Sequence, residues 1–344
     1  MAANHDTAVD VKNQSKFSIG FKNFFRQNGG ILAGFLILCV LWTILAPNFL
    51  TRDNILTVLR QAVQNSLSAF GMTFILIVGC IDLSVGANVG TTGVLYVIML
   101  NWGWPNAICL ILSFVFGMFL GLFNGYFVTQ WKLLPYVVTL ASQNIIRGVG
   151  YLISGGLPIR FGGEGFKFLG TGYVGIIPFP VIIMAICYVF CLLLQNRTVL
   201  GRHMYAVGGN EEAARYSGIN PGHVKRIAYV ISGLLSAVGG CILASRLYSG
   251  QPSTGVGYEG DAIASSVLGG VSMKGGSGSV TGTLFGALVL ATMTNGFNLL
   301  ALDFYWQYVA KGFVIILAVE LDVIKKASQE AGISMKEYLF PTKQ

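Results

Sequence analysis

Charge is what this sequence has least of. Only 10% of its 344 residues are Asp, Glu, Lys or Arg, where a soluble domain carries roughly 25%. That scarcity excludes an ordinary soluble enzyme. It also goes with too much apolar residue for a disordered chain, which needs low hydrophobicity and high charge. Histidine is nearly missing: His5, His203 and His223 are the only three. No His-Glu-x-x-His, Gly-x-Ser-x-Gly or paired-carboxylate pattern occurs, so no catalytic constellation is expected. The phosphate-cradling Gly-x4-Gly-Lys-Ser/Thr loop is missing as well. Six cysteines lie in apolar stretches, and Cys187 and Cys191 stand four apart with no histidine nearby. That is not zinc spacing, and small buried hydrophobes are the plainer reading. No Lys/Arg run interleaves with aromatics, which argues against a nucleic-acid partner.

What is there is apolar. Hydrophobic residues make up 54% and glycines number 45, with a mean hydropathy of +0.67. Charge-free windows run over 27–51, 61–81, 83–131, 168–196, 227–245 and 275–302. A helical span needs about 20 apolar residues, so the window 83–131 holds two. The expectation is an all-α polytopic membrane protein in a bilayer. About ten segments are expected, at 31–47, 56–80, 84–101, 106–128, 133–154, 174–195, 224–246, 259–273, 277–300 and 304–322. The first is read as an uncleaved span after a basic tail, because the apolar run outlasts a signal-peptide core. Segment 259–273 is short and begins beside Glu259 and Asp261, which reads as a re-entrant or broken helix.

The net charge of +8 has a topological reading. Fifteen Lys/Arg fall in the two tails, the 130–133 turn, the loop 196–226 and at Lys274. Five (Arg52, Arg60, Arg160, Lys167 and Arg246) fall on the other side. Basic residues stay inside, so both termini are expected in the cytoplasm. Trp42, Trp102, Trp104, Trp131 and Trp306 lie near segment ends, where indoles favour the interface. Gly117, Gly121 and Gly125, and Gly282 with Gly286, are small-xxx-small patterns for close helix contact. Gly269, Gly270, Gly275, Gly276 and Gly278 around Lys274 read as helix breaks.

Ionisable groups inside spans are functional candidates by default. Asp82 lies in Gly79-Cys-Ile-Asp-Leu-Ser-Val-Gly86, where one apolar segment ends and another starts. Ser84 is placed to cap the new helix, with Asp82 near its positive end. Asp82 is read either as the anchor of a broken helix or as part of a polar pathway. Arg147, inside another span, is a conceivable ionic partner for it. Amides recur at Asn65, Asn124, Asn144, Asn295 and Asn298, and also at Gln64, Gln143 and Gln307. They serve as helix glue or, with Asp82 and Ser84, line a hydrated passage for a polyhydroxylated solute.

The loop 196–223 is the most informative polar stretch. Asn210 suits an N-cap, Glu211 and Glu212 a first turn, and Gly218 a stop. One helix of about two turns is expected there, either inert or a docking surface.

Four stretches carry a resemblance. Gly208-Gly-Asn-Glu-x-Ala-Ala-Arg-x-Ser-Gly-Ile219 resembles the cytoplasmic coupling motif of monosaccharide ABC-transporter permeases. Gly79–Gly86 resembles the same family's Gly-x-Ile-Asp-Leu-Ser-Val-Gly signature. Gly257-Tyr-Glu-Gly-Asp-Ala-Ile-Ala264 with Val267-Leu-Gly-Gly270 is the third, and Asn295–Gln307 the fourth. Together they cover most of 50–322 in the family's order, closest to the ribose permease subgroup. Gly260 and Cys80 depart from that subgroup's usual residues and leave the sugar open. The resemblance implies a type II importer-like permease domain over 31–322 between cytoplasmic tails, 1–30 and 323–344. It implies a bacterial cytoplasmic-membrane location. It also implies a second permease copy, two ATP-binding domains (separate or on one tandem chain) and a periplasmic or surface sugar-binding protein. ATP and magnesium would sit on the ATPase subunit, with no cofactor in this chain. Gly208, Gly209, Asn210, Glu211, Glu212, Ala214, Arg215 and Gly218 would meet that subunit. Two alternatives remain open: the same architecture with a nucleoside, amino-acid or autoinducer-type cargo, and an ion-coupled secondary transporter using Asp82. A membrane-embedded enzyme has no motif behind it.

Overall fold

The computed structural model describes residues 29–331. Most of the tail 1–30, and residues 332–344 of the tail 323–344, lie outside the described residues. The helices in chain order are α1 (Gly29–Leu45), α2 (Arg52–Ile77), α3 (Val85–Asn101), α4 (Asn106–Gln130), α5 (Pro135–Ser154), α6 (Glu164–Thr171) and α7 (Phe179–Arg197). They continue with α8 (Val199–Gly209), α9 (Glu211–Tyr216), α10 (Pro221–Arg246), α11 (Tyr258–Leu268), α12 (Val280–Leu299) and α13 (Phe304–Ala331). Two-residue strands form two small antiparallel pairs, β1 (Ile159–Arg160) with β4 (Ser249–Gly250), and β2 (Tyr173–Val174) with β3 (Ile177–Pro178).

Local chemistry sets the helix starts. Pro135 opens α5 and Pro221 opens α10, positions where a missing N–H costs nothing. Asn220 Oδ1 accepts from His223 N (3.1 Å), and Ser279 Oγ accepts from Gly282 N (3.0 Å) at the head of α12. Each satisfies an otherwise orphaned donor.

The centre is the pair α2 and α10. Between 62 and 77 every α2 residue except Asn65 is buried, and α10 is almost enclosed by α2, α3 and α4. By contrast α1, α4, α5 and α7 turn Ile37, Ile44, Phe119, Leu152 and Ile186 outward. Apolar outside and enclosed inside is the pattern a bilayer demands. Among the described residues, α4, α7, α10 and α12 are long and apolar enough to cross a membrane, with α1 and α3 as shorter apolar helices.

The glycine pattern is used for packing. A Cβ on Gly117 would collide with Ala237 Cβ and come within 2.6 Å of the Gly233 carbonyl oxygen. On Gly121 it would strike Tyr229 O, and on Gly125 it would reach Arg226 Cα at 3.0 Å. Backbone therefore meets backbone along α4 and α10. Gly286 meets Ser265 and Gly282 meets Gly269 in the same way, joining α12 to α11.

Several expectations change. Helix α7 starts at Phe179, not 174, because 173–178 closes into a hairpin with Gly175 at φ +62°. Helix α13 runs on to Ala331. The polar loop holds two helices, α8 and α9, instead of one, and α6 is an addition. Trp42 is buried, edge-on to Phe297 and seated on Gly296, whereas Trp102, Trp104, Trp131 and Trp306 are exposed.

Segment 259–273 is broken, as its length and charges foretold. Its helical part is only α11, and the chain reaches it through a run of turns over 252–257. Gly250 lies against Gly93 and Val94, Pro252 and Thr254 against Gly90, and Gly255 against Gly86. The run of turns thus passes antiparallel along α3, whose glycines admit it. Its free carbonyls need donors, and Arg147 Nη1 supplies them to Pro252 O (3.1 Å) and Thr254 O (3.3 Å).

Candidate functional site

One end of the bundle gathers the polar loop and every helix break that the glycines marked. Helix α8 begins with Thr198 Oγ1 accepting from Gly201 N (3.0 Å). Its last turn, Gly208-Gly209, presses on the end of α2. A Cβ on Gly208 would collide with Ile77 O and lie 2.6 Å from Gly276 N. Gly276 N itself donates to Ile77 O (2.9 Å). Gly275 and Gly276 hold φ +91° and +71°, left-handed values that glycine adopts at no steric cost. The Gly79 break, the 269–279 loop and the α8 terminus therefore interlock backbone to backbone.

Helix α9 follows at once. Asn210 Oδ1 accepts from Ala213 N (2.9 Å), and Gly218 stops the turn at φ +82°. Ala214 is buried, while Glu212, Arg215 and Gly218 are exposed. Tyr216, which the sequence reading passed over, is 91% exposed. Glu211 turns inward and takes Lys225 of α10 at 2.5 Å and Arg215 at 3.5 Å. Two cavities flank α9. One of about 430 Å³ is lined by Thr129, Arg215, Asn220 and Arg226. The other, about 410 Å³, is lined by Cys80, Lys132, Glu211, Arg215 and Lys225.

Asp82 lies deeper, 2% exposed, with both oxygens occupied. Oδ1 accepts from Ser84 N (3.0 Å) and Ser84 Oγ (2.6 Å), and Oδ2 accepts from Ser232 Oγ of α10 (2.9 Å). Asp82, not Ser84, thus does the capping at the head of α3; Ser84 makes no side-chain cap bond. The Asp82–Arg147 pair does not form, since Arg147 serves the 252 and 254 carbonyls. Asn124 Nδ2 of α4 donates to Ser84 Oγ (2.8 Å), and Tyr229 OH donates to Ile81 O (2.9 Å).

The structure brings together Asp82, Ser84 and Asn124 from the pathway set. The rest stand apart. Asn295 exchanges amide bonds with Asn54 (2.8 and 3.0 Å), and Asn298 accepts from Gln307 (2.7 Å). Asn144 is exposed and bonds Leu140 O within its own helix (3.2 Å). Asn65 is half-buried on α2. Asp261, on α11, pairs with Lys311 of α13 at 2.7 Å. Among the described residues no His/Cys/Asp/Glu group could hold a metal ion. Lys225, Tyr229 and Ser232 were not singled out in the sequence. Their spacing of four and three was the available signal, because it puts all three on one face of α10.

A multi-pass helical membrane protein with an ordered polar loop at one end is the build of a transport permease. The family described as the branched-chain amino acid transport system permease component matches residues 54–319. The ribose import permease protein of Bacillus subtilis is 45% identical over 303 residues, covering 88% of this chain and 94% of the relative. That of Haemophilus influenzae is 39% identical, covering 91% of this chain and 97% of the relative. The L-arabinose transport system permease protein of Escherichia coli is 37% identical, covering 91% and 95%. No solved structure matches the chain. The chain belongs to this permease-component family, in its monosaccharide ABC-transporter branch.

Proposed function

We propose that this chain is the membrane-spanning permease subunit of an ABC importer that brings a monosaccharide, ribose first, across the bacterial cytoplasmic membrane. Similarity to two ribose permeases above the arabinose one favours ribose. Xylose, galactose and arabinose come next. The chain contributes no catalysis. ATP and magnesium belong to a separate ATPase subunit, and an external binding protein supplies the sugar. Two copies of this chain pair over two ATP-binding domains.

The observation that carries this reading is α9. It is a short helix with exposed Glu212, Arg215 and Tyr216 on one side and Glu211 tied to the buried α10 on the other. A loop with no partner has no need for such anchoring. Nucleotide can bias the pore only if docking contacts differ between two states, and α9 offers such contacts through Asn210, Glu211, Glu212 and Arg215. Gly208, Gly209, Ala214 and Gly218 set the backbone around them. The loop end also supports ten passes with both termini inside. Residues 77–84, 125–133, 195–226 and 269–280 meet at one end, and 46–54, 96–106, 246–252 and 295–306 fall at the other. The permease domain would then span 31–322. Asp82, Ser84 and Asn124 form a buried polar cluster near the inner end. Asn65 and Asn144 remain candidate contacts, and Asn295 and Asn298 have helix-joining partners.

The test is reconstitution in proteoliposomes with the ATP-binding subunits and the binding protein. Ribose uptake is expected only with ATP and all components present. Uptake by the permease alone, driven by a sodium or proton gradient, refutes the proposal.

A further inference from the structure

The loop and the Asp82 break are joined by one face of one helix. Lys225, Tyr229 and Ser232 recur at the i, i+4 and i+7 positions of α10, so they share a stripe about 10 Å long at 1.5 Å per residue. At its lower end Lys225 Nζ holds Glu211 of α9 (2.5 Å). One turn on, Tyr229 OH holds Ile81 O (2.9 Å), and at the upper end Ser232 Oγ holds Asp82 Oδ2 (2.9 Å). Asp82 Oδ1 meanwhile holds the N–H and hydroxyl of Ser84, where α3 begins.

Asp82 is therefore a bridge with one oxygen on α3 and the other on α10. At 2% exposure, with each oxygen already accepting from a serine, it is shut away from a passing hydroxyl. A shift of α10 relative to α3 must either break the Ser232 bond or carry the head of α3 along. The second tie acts on the same break from the other side. Gly208 of α8 seats on Ile77 O, which also accepts from Gly276 N. The loop thus grips the chain just before Gly79–Cys80, and α10, tied to α9 through Lys225, grips it just after. Such a gripped break, between two buried helices, is the kind of discrete element whose equilibrium a distant contact can bias.

We infer that Lys225, Tyr229 and Ser232 are positioning residues that carry displacement of α9 to the α2–α3 break, and that Asp82 latches that break instead of contacting sugar. The inference rests on the importer reading for its consequence in transport, but its structural half stands on this chain alone. The helix α10 is the lever, α9 the handle and the 79–84 segment the part that moves.

Two measurements test it. In the full complex, Lys225→Met and Tyr229→Phe are expected to lower sugar moved per ATP hydrolysed by roughly tenfold, a common size for coupling between sites. Lys225→Arg, which keeps the charge on Glu211, should retain most of the ratio. In the permease alone, in nanodiscs, amide exchange across 79–84 should rise by roughly tenfold in Lys225→Met and stay near wild type in Lys225→Arg. Uptake and hydrolysis falling together, with Lys225→Arg no better than Lys225→Met, overturns the lever and leaves Lys225 a docking or folding residue. Unchanged exchange at 79–84 also overturns it, whatever the complex does. A complex without ATP-dependent uptake removes the importer reading, and the exchange experiment still decides the lever.

Discussion

Gly121 and Gly148 are both glycines inside apolar helices, and the structure assigns opposite signs to their replacement by alanine. In a helix interior the change gains about 0.5–1 kcal/mol from backbone entropy. At Gly148, in the middle of α5, an added Cβ meets nothing within 4 Å, so that gain is the whole effect. At Gly121 the Cβ collides with the Tyr229 carbonyl oxygen, reaches its carbonyl carbon at 2.8 Å and reaches Val230 Cα at 3.1 Å. All three are backbone atoms of α10, and no rotamer change relieves them. The seam must open over Gly117, Gly121 and Gly125 together. Overpacking of that kind costs about 1–3 kcal/mol, and a gap of 0.5–1 Å forfeits about a quarter to a half of each dispersion contact along it.

The entropy gain offsets only part of that cost. Gly121→Ala should be destabilised by about 1–2 kcal/mol and Gly148→Ala stabilised by up to about 1 kcal/mol. At about 2 °C per kcal/mol for a chain of this size, the two variants separate by about 3–6 °C. Thermal unfolding of both in one detergent checks this, at a single scan rate because such melts report rates as well as equilibria. Tight α4–α10 contact is refuted if Gly121→Ala melts at or above wild type. It fails equally if Gly148→Ala falls as far.

Asn54→Ala leaves the buried Asn295 amide unpaired and should cost about 1–3 kcal/mol, while Asn54→Leu with Asn295→Leu recovers most of it; denaturant unfolding of the three variants checks this. Arg147→Met strips the donor from the Pro252 and Thr254 carbonyls, so amides of 253–258 should exchange roughly tenfold faster or more, with Arg147→Lys between it and wild type. Equal exchange in Arg147→Met and wild type would show that the 252–257 segment is held by α3 alone. Tyr216→Ala should weaken binding of the ATP-binding subunits by about 2 kcal/mol, about 30-fold in Kd, with the melting temperature of the free permease unchanged because the ring is exposed.

What the sequence made legible follows the strength of each local rule. The Asn210 cap is a single-residue signal with a geometric cause, and it holds; Pro135 and Asn220 carry signals of the same kind that were not read from the sequence. The Gly117, Gly121 and Gly125 pattern is legible for the same reason, since only a missing Cβ permits that approach. The 173–178 hairpin was hidden because its residues are as apolar as the span that follows, and apolar content carries no phase. Helix α8 was hidden because the cap signal at Asn210 marks only the helix after it, and nothing in 199–209 shows that Gly208 must touch Ile77. The amides were unreadable as a set. Asn124 bonds Ser84, Asn295 bonds Asn54 and Asn298 bonds Gln307, and nothing in their spacing names a partner up to 241 residues away. Asp82 was visible as an exception, but its binding to Ser232 depends on α10 lying alongside, which is tertiary information.

The intramembrane charges then separate by what they satisfy. Arg147 meets backbone carbonyls that the turns of 252–257 leave open, so it belongs to the fold. Lys311 meets Asp261 and fixes α13 to α11. Removing either partner leaves a charge without compensation, which makes such a pair a register lock more than a source of net stability. Asp82 meets neither a charge nor the closed backbone of a helix. Its partners are two serines on different helices and one amide, groups that can be traded for water or for each other at little cost compared with an ion pair. A permanent lock at Asp82 would have been better made with a lysine. The hydroxyl set is what a joint needs if it has to open and reclose on every cycle, and the joint sits between the end of α2 and the head of α3, where α8, α10 and the 269–279 loop all take hold.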